Sequence, residues 1–407
     1  MGTTLIVWPV LGRVLAPAAL GQLSGVLAAS SILAPVITLG THLHVANRLA
    51  RDPARAKGAD GRLVRTILGI LIALAAASIV GLACTRGIVP LQITAIVTST
   101  ACSILAVGVA RGLDRAAFFA VLTIWSQFLA LLLLTVVAAL SGSLDAGIAT
   151  YASALVLGSV VVLPLVKAGS DPASSERPRE IALRSVHLVP HLVLAVATLL
   201  LARIVVGIVS GPVGLAGFQY ASLLIGGVTT IGASLDAHWS IRAQSAGNEQ
   251  ALADVLGRNL IRIQAMLIVV AAGVVFFVVV LLPVWLPPGY EVAAVRSAVL
   301  VSLSAGAFQA LADNRSAALM WLGRSASVSA ATTVGVAIGT VSCFAFVSAF
   351  GWEAAGAAIA LGTAARALVT VLLLRHAAPH LRLTGRSVAV TAVSITLVVL
   401  PIVLTQI

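Results

Sequence analysis

Long apolar blocks run along this chain from one end to the other, each closed by a short polar or Gly/Pro-rich break. Many of them reach the roughly 20 residues that a helix needs to cross a bilayer core. Backbone groups in lipid must be satisfied within the segment, so such blocks are read as helices. The first half gives spans at 2–14, 18–47, 64–84, 88–109, 116–140 and 148–166. The second gives 186–209, 213–239, 262–284, 294–322, 326–350 and 354–374, and a further apolar run follows at 388–405. The breaks include Arg51-Asp52-Pro53, Ser141-Gly142-Ser143, Pro287-Pro288-Gly289 and His380 to Arg386.

Composition fits this pattern. Of the 407 residues 60% are hydrophobic and 9% are charged, against about 25% charged in ordinary soluble domains. So few charges cannot build a water-soluble surface. The net charge of +12 does not indicate nucleic acid, because the basic residues sit between apolar spans and not on one soluble face. Cys84, Cys102 and Cys343 are scattered without metal-ligand spacing and read as small packing residues. No secretory signal pattern precedes the first apolar stretch.

The basic residues also orient the chain. Breaks after even-numbered spans hold 19 of the 25 Lys and Arg, from Arg48 to Arg65 at the first to Arg375, Arg382 and Arg386 at the last. Breaks after odd-numbered spans hold two, Arg86 and Arg296, and four more, Arg13, Arg203, Arg315 and Arg366, lie within spans. Cytoplasmic loops attract Lys and Arg, so the even breaks and the amino end are expected in the cytoplasm. The stretch 240–261 mixes apolar and polar residues and reads as an amphipathic helix on the inner surface.

The two halves resemble each other. Ala16-Pro17 opens the second span and Gly211-Pro212 the eighth, and an offset of 196 then places His42 on His238. The expected organisation is a six-helix bundle over 1–166, a cytoplasmic linker over 167–185, a second six-helix bundle over 186–375 and an additional span within 376–407. Parallel six-helix halves are a known transporter arrangement, with substrate bound at their interface. Span one, about 14 residues, rises roughly 21 Å against a core of roughly 30 Å, so the natural first helix is expected to begin upstream of Met1.

Several local patterns now point to one family. Arg203-Ile204-Val205-Val206-Gly207 with Gly211, Gly217, Tyr220 and Ala221 resembles the opening of the second half in polysaccharide-biosynthesis flippases. Where that pattern often has an acidic residue before the Arg, this chain has Ala202. Leu286-Pro287-Pro288-Gly289-Tyr290-Glu291-Val292-Ala293 resembles the family's turn before the tenth span, and Gly351 to Ala360 its element opening the twelfth. Arg13 to Gly21, Leu39 to Arg48 and Arg111-Gly112-Leu113-Asp114-Arg115 resemble the family's first-half signatures. The chain is thus similar to the Wzx-type branch of the MOP superfamily, which also holds lipid II flippases and MATE drug exporters. The resemblance implies an all-α integral membrane protein whose two six-helix bundles form a V. It implies movement of a lipid-diphosphate-linked oligosaccharide from the inner to the outer leaflet of the bacterial cytoplasmic membrane. Its partners would be that lipid-linked oligosaccharide and the membrane lipids, with a polysaccharide polymerase and glycosyltransferases as neighbours. The run 388–405 departs from the family's twelve-span core.

No Walker motif, HExxH or well-placed GxSxG occurs, so the chain is not read as an enzyme and no cofactor is expected beyond a coupling H+ or Na+. Ionisable groups at membrane depth are costly and mark function by default. Arg13, Arg203 and Arg366 are the candidate substrate-binding residues, because guanidinium forks suit phosphate oxygens. The bland alternative is an Arg that snorkels or pairs structurally, and snorkelling is the better reading for Arg315. Asp236, His238 and Asp313 are the coupling-ion candidates, with Asp236 and Asp313 weighed also as ion-pair partners for the arginines. His42, His187 and His191 read as packed, neutral groups. Gly226-Gly227 and Gly335…Gly339 read as close helix contacts, and Pro35, Pro164 and Pro190 as kinks.

Three other functions stay in play. A drug or cation exporter of the same superfamily would favour an acidic cavity, whereas the intramembrane charges here lean basic. A membrane glycan polymerase or glycosyltransferase needs sizeable outer loops, and these are short. A scaffold without transport would show no cationic chamber.

Overall fold

The computed structural model describes residues 2–42, 45, 46, 49, 59–85, 87–113, 116–166, 189–244 and 248–379. The expected linker 167–185 and the run 388–405 lie outside these residues. The described chain is helical, and nine stretches of it are long and apolar enough to cross a membrane. Residues such as Leu140, 84% exposed, and Val284, 78% exposed, stand on the outside. Polar residues such as Gln92, Ser99, Gln264 and Thr370 are buried. That distribution suits lipid as solvent: apolar side chains cost nothing there, and polar groups must find partners inside.

The chain divides into two compact units, Met1–Val196 and Ala197–Ile407. The described residues form twelve helical rods when local interruptions are bridged. In the first unit these are α1 (Gly2–Val14), α2 (Pro17–Ile37), α3 (Ala59–Cys84), α4 (Val89–Gly112), α5 (116–141) and α6 (Leu144–Val160). α7 (189–210) runs across the division into the second unit, which continues with α8 (212–244), α9 (249–285), α10 (292–321), α11 (Ser325–Phe350) and α12 (Ala355–Ala377).

Sequence sets the helix ends. Pro17 occupies the first turn of α2, where its missing N–H is no loss. Ser143 caps α6 by accepting from the Ala146 N–H, and Asn248 caps α9 by accepting from the Ala251 N–H at 2.8 Å. Gly142, at φ 63°, closes α5 in the left-handed conformation. α2 breaks within the expected span two, and helical residues resume at Thr41 and His42. The Gly40 N–H returns to the Pro35 carbonyl at 3.1 Å, with Leu39 at φ 50°, a left-handed cap that ends the helical ladder.

The kinks lie elsewhere than expected. Pro35 is in the terminal turn of α2, Pro164 in a closing 3-10 turn (Leu163–Leu165), and Pro190 in the first described turn of α7. The sharp break is Gly211, φ 69° and ψ −174°, which folds α7 back along α8. α9 carries a π turn at Phe277–Leu281 just before Pro283. Proline offers no N–H to the carbonyl four residues back, and the ladder shifts to absorb the gap. α5 has a second π turn, Trp125–Leu129. There Trp125 donates Nε1–H to the Ala154 carbonyl at 2.7 Å, and its ring lies over Gly158, where a Cβ would stand 2.6 Å from it.

The stretch 240–261 is not a separate surface helix. Its end forms the first turns of α9, whose Leu252 and Leu256 are buried in one core with Ala317, Ala318 and Leu319 of α10 and Leu374 of α12. Glu249, Gln250, Asp254 and Arg258 form the exposed face of α9, while Asn259 is buried.

The units share their internal wiring. α3 packs on α4, α4 on α6 and α5 on α6 in the first; α9 packs on α10, α10 on α12 and α11 on α12 in the second. An offset of six helices maps one set of contacts onto the other. The Gly335…Gly339 pair does mark close approach: α11 and α12 meet at Gly335, Gly339 and Gly362, where Gly339 would place a Cβ 3.3 Å from the Gly362 Cα. A Cβ on Gly227 would meet nothing within 4 Å, so that position serves no such contact.

Candidate functional site

Of the arginines in the helices of the second unit, Arg203, Arg315 and Arg366 are those that the sequence pattern places within spans. The α7–α8 hairpin positions the first. Arg203 and Ser222 are 19 positions apart, which in a straight helix would separate them by roughly 28 Å. The turn at Gly211 brings them together. Arg203 donates to the Ser222 hydroxyl from Nη2 at 2.8 Å and from Nε at 3.1 Å, and that hydroxyl donates on to the Gln219 carbonyl. A neutral hydroxyl satisfies geometry but leaves the guanidinium charge unanswered. No carboxylate among the described residues pairs with Arg203.

Arg366 of α12 is different. Its Nη2 lies 2.7 Å from Asp313 Oδ1 on α10, and Gln309, one turn earlier, donates to Asp313 Oδ2 at 2.8 Å. The side chains of the pair are 15% and 17% exposed. The alternative weighed for Asp313, an ion pair with an arginine, is therefore present, and it joins a coupling-ion candidate to a substrate-binding candidate. The Arg366 stem is held by α11, where Gly335 leaves no room for a Cβ. Its Nε is buried without a hydrogen-bond partner.

Arg315 corrects the snorkelling expectation. It is 3% exposed, and its Nε has no partner. Residues Asn314 to Leu319 are all buried. A run of six buried residues leaves no face of the helix open, so α10 at this level is enclosed on every side. A linear reading sees only the distance to a helix end, and so missed this buried cation.

The other candidates separate. Arg13, at the end of α1, is exposed. The side chains of Asp236 and His238 lie outside those described, as do those of His187 and His191. His42 is buried at 8% exposure, its Nδ1 3.1 Å from the Thr38 hydroxyl, and its backbone carbonyl sits where a Cβ on Gly108 would stand. It packs, as the sequence suggests. Cys84 is exposed, Cys102 and Cys343 are buried, and all three are free thiols.

The first unit contains a polar chain that sequence reading passed over. Gln22 on α2 donates to Gln92 on α4 at 2.6 Å, and Gln92 donates to Asp145 Oδ1 at 2.6 Å. Asp145 Oδ2 accepts the Gly87 N–H at 2.7 Å. One carboxylate thereby ties α2, α4, α6 and the α3–α4 turn. Placing the start of span six at 148 left Asp145 in a loop. The signal lay two residues earlier: Ser143 is a helix cap, and an acidic residue in the turn after it suits a helix start.

No family model matches the sequence, and no curated protein does so either. Solved structures do resemble it. An inward-facing multidrug resistance MATE family transporter of the MOP superfamily superposes with a TM-score of 0.64 at 15% identity, covering 93% of this chain and 95% of that one. The lipid II flippase MurJ in an inward closed conformation gives 0.60 at 13% identity, covering 96% and 91%. A MOP superfamily transporter from Pyrococcus furiosus, described by its reversed binding-pocket polarity, gives 0.52 at 17%, covering 94% and 92%. This chain is therefore a multi-pass, all-α membrane protein with the fold that these MATE and MurJ structures share.

Proposed function

We propose that this protein is a flippase for a lipid-diphosphate-linked oligosaccharide, moving it from the inner to the outer leaflet of a bacterial cytoplasmic membrane. The observation that carries this reading is Arg203, a guanidinium within a span whose partner is the neutral Ser222 hydroxyl. A cation kept at depth with no carboxylate beside it is expensive unless an anion arrives. A diphosphate supplies that anion in the fork geometry that guanidinium favours. Arg315, buried and with an unused Nε, adds to the positive interior. On this reading the arginine-rich ends of the helices, and the amino terminus with them, face the cytoplasm.

The likeness to a multidrug MATE transporter supports a second reading, export of an organic cation, for which Asp145 and Asp313 would be the attracting groups. Asp313 is neutralised by Arg366, whereas Asp145 is hydrogen-bonded through both oxygens by neutral donors and keeps its charge, so it is the group this second reading would use.

Reconstitution tests the two together. Proteoliposomes carrying a fluorescent lipid-diphosphate oligosaccharide should show protein-dependent transbilayer movement, reduced at least tenfold in Arg203→Ala. Ethidium transport with no movement of the glycolipid would replace the flippase with the exporter. Glycolipid movement equal in wild type and Arg203→Ala would remove the arginine from the site.

A further inference from the structure

Asp313 sits at one junction of three groups. Gln309, Asp313 and Ser316 lie within roughly 60° of one another around α10, and Gln309 and Arg366 both donate to the Asp313 carboxylate. The guanidinium still has a buried Nε without a partner, and the Ser316 hydroxyl nearby on α10 is also buried and unpartnered. Arg366 is thus engaged through one edge while another N–H stays unspent. Its stem cannot swing away, because Gly335 and Gly362 bring the α11 and α12 backbones together around it.

The other charges near this level are few. Arg315 projects from a different side of α10, two residues on. Arg258 and Arg262 of α9 are exposed. α11 carries no Asp, Glu, Lys, Arg or His over Ser325–Phe350. α8 brings Asp236 and His238, whose side chains are not described.

Charge conservation in a low-dielectric setting then fixes what this junction can bind. With Asp313 ionised the pair is neutral, and an added anion would have to displace a carboxylate that holds the guanidinium. With Asp313 protonated the pair carries +1, which is costly to bury alone, and an anion cancels it. Proton and anion therefore favour one another at this place. In a site built for cations the relation is opposite, since a proton and a cation compete for the same carboxylate.

We propose that the Gln309–Asp313–Arg366 junction is a proton-conditioned anion site, at which a phosphate-bearing ligand binds together with a proton taken up by Asp313. The proposal deepens the flippase reading by naming the coupling ion and the sign of coupling. It needs only an anionic ligand and does not depend on the glycan. The balance is simple: the carboxylate gains H+ and becomes a neutral acid, and Arg366 exchanges that carboxylate for a phosphate oxygen. By reciprocity, an anion that binds better to the protonated form also promotes proton uptake.

The test uses the full-length protein in nanodiscs, with inorganic pyrophosphate and a fluorescent prenyl diphosphate as separate probes, titrated between about pH 5 and pH 9. Wild type should bind pyrophosphate more tightly as pH falls, approaching about tenfold per pH unit for one linked proton. Asp313→Asn mimics the protonated acid, so it should bind tightly throughout and lose the slope beyond that of the probe's own titration. Gln309→Leu removes a donor that holds the ionised carboxylate, and should move the rise in affinity to higher pH. This variant leaves the ion pair in place and serves if Asp313→Asn fails to fold. In weakly buffered solution wild type should take up one proton more per bound pyrophosphate than Asp313→Asn. A wild-type slope retained in Asp313→Asn, an unmoved profile in Gln309→Leu, or no pyrophosphate binding at any pH would each overturn the proposal. Pyrophosphate behaving as described while the prenyl diphosphate is neither bound nor moved would instead reject the flippase and leave the proton–anion junction standing.

Discussion

Replacing Gly335 by alanine should loosen the second unit, and the structure says by how much. The added methyl would stand 2.6 Å from the Arg366 Cβ, 2.8 Å from the Gly362 carbonyl oxygen and 3.2 Å from the Arg366 Cα. Comfortable carbon contacts are about 3.5–4.0 Å, so the shortfall is roughly 1 Å. None of the three atoms is the loose end of a flexible side chain. The clash can be relieved only by moving α11 and α12 apart. In lipid, helix association rests on packing and hydrogen bonds, because hydrocarbon tails solvate exposed apolar faces as well as a neighbouring helix does. Overpacking of this kind costs about 1–3 kcal/mol. At about 2–4 °C per kcal/mol for a unit of some 200 residues, the melting temperature should fall by roughly 2–12 °C. Gly273, in α9, supplies the control, since a Cβ there meets nothing within 4 Å. Gly273→Ala should be neutral or gain up to about 1 kcal/mol from helix propensity. Both variants are purified in the same detergent and melted by intrinsic fluorescence. Melting temperatures for the two that agree to within about 1 °C would refute the claim that the α11–α12 seam is closed at Gly335.

Three further outcomes follow from particular contacts. Leu39→Gly should stabilise the first unit by about 1 kcal/mol, because leucine at φ 50° carries a left-handed penalty that glycine does not; thermal unfolding reads it, and a lower melting temperature contradicts it. Asp145→Ala removes the acceptor for Gln92 and for the Gly87 N–H and should cost about 1.5–3 kcal/mol. Hydrogen exchange should rise first at residues 87–92, and unchanged protection there would show that the carboxylate is not the tie. Trp125→Phe deletes the Nε1–H donated to Ala154 and should cost about 0.5–1.5 kcal/mol, measured as a shift in the denaturation midpoint; no shift would mean that the π turn in α5 does not depend on that bond.

Hydropathy alone determined that this is an all-α membrane protein, because a bilayer admits no other reading of successive apolar blocks. It located α1, α5 and α11 to within a few residues, since each is closed by a residue that acts locally: Pro17, Gly142 and Gly351. The hairpin at Gly211-Pro212 was also legible, for the same reason. The end of α2 at Leu39 was not, because a leucine in the left-handed region gives no compositional sign. The beginning of α9 was not either, since Asn248 to Leu260 looks amphipathic whether it lies on a surface or packs against α10 and α12.

Residue type named the intramembrane charges, and the fold decided their meaning. Nothing in the order of residues distinguishes Arg203, which meets a hydroxyl, from Arg366, which meets a carboxylate 53 positions away. Arg315 looked like an interfacial arginine, yet its turn of α10 is buried on every side. The Gln22–Gln92–Asp145 chain joins residues 53 and 70 positions apart, a separation that no local pattern spans. Helix formation is governed by near neighbours and can be read along the chain. Charge compensation is a property of whatever lies within a few ångströms in space, and only the packed bundle settles that.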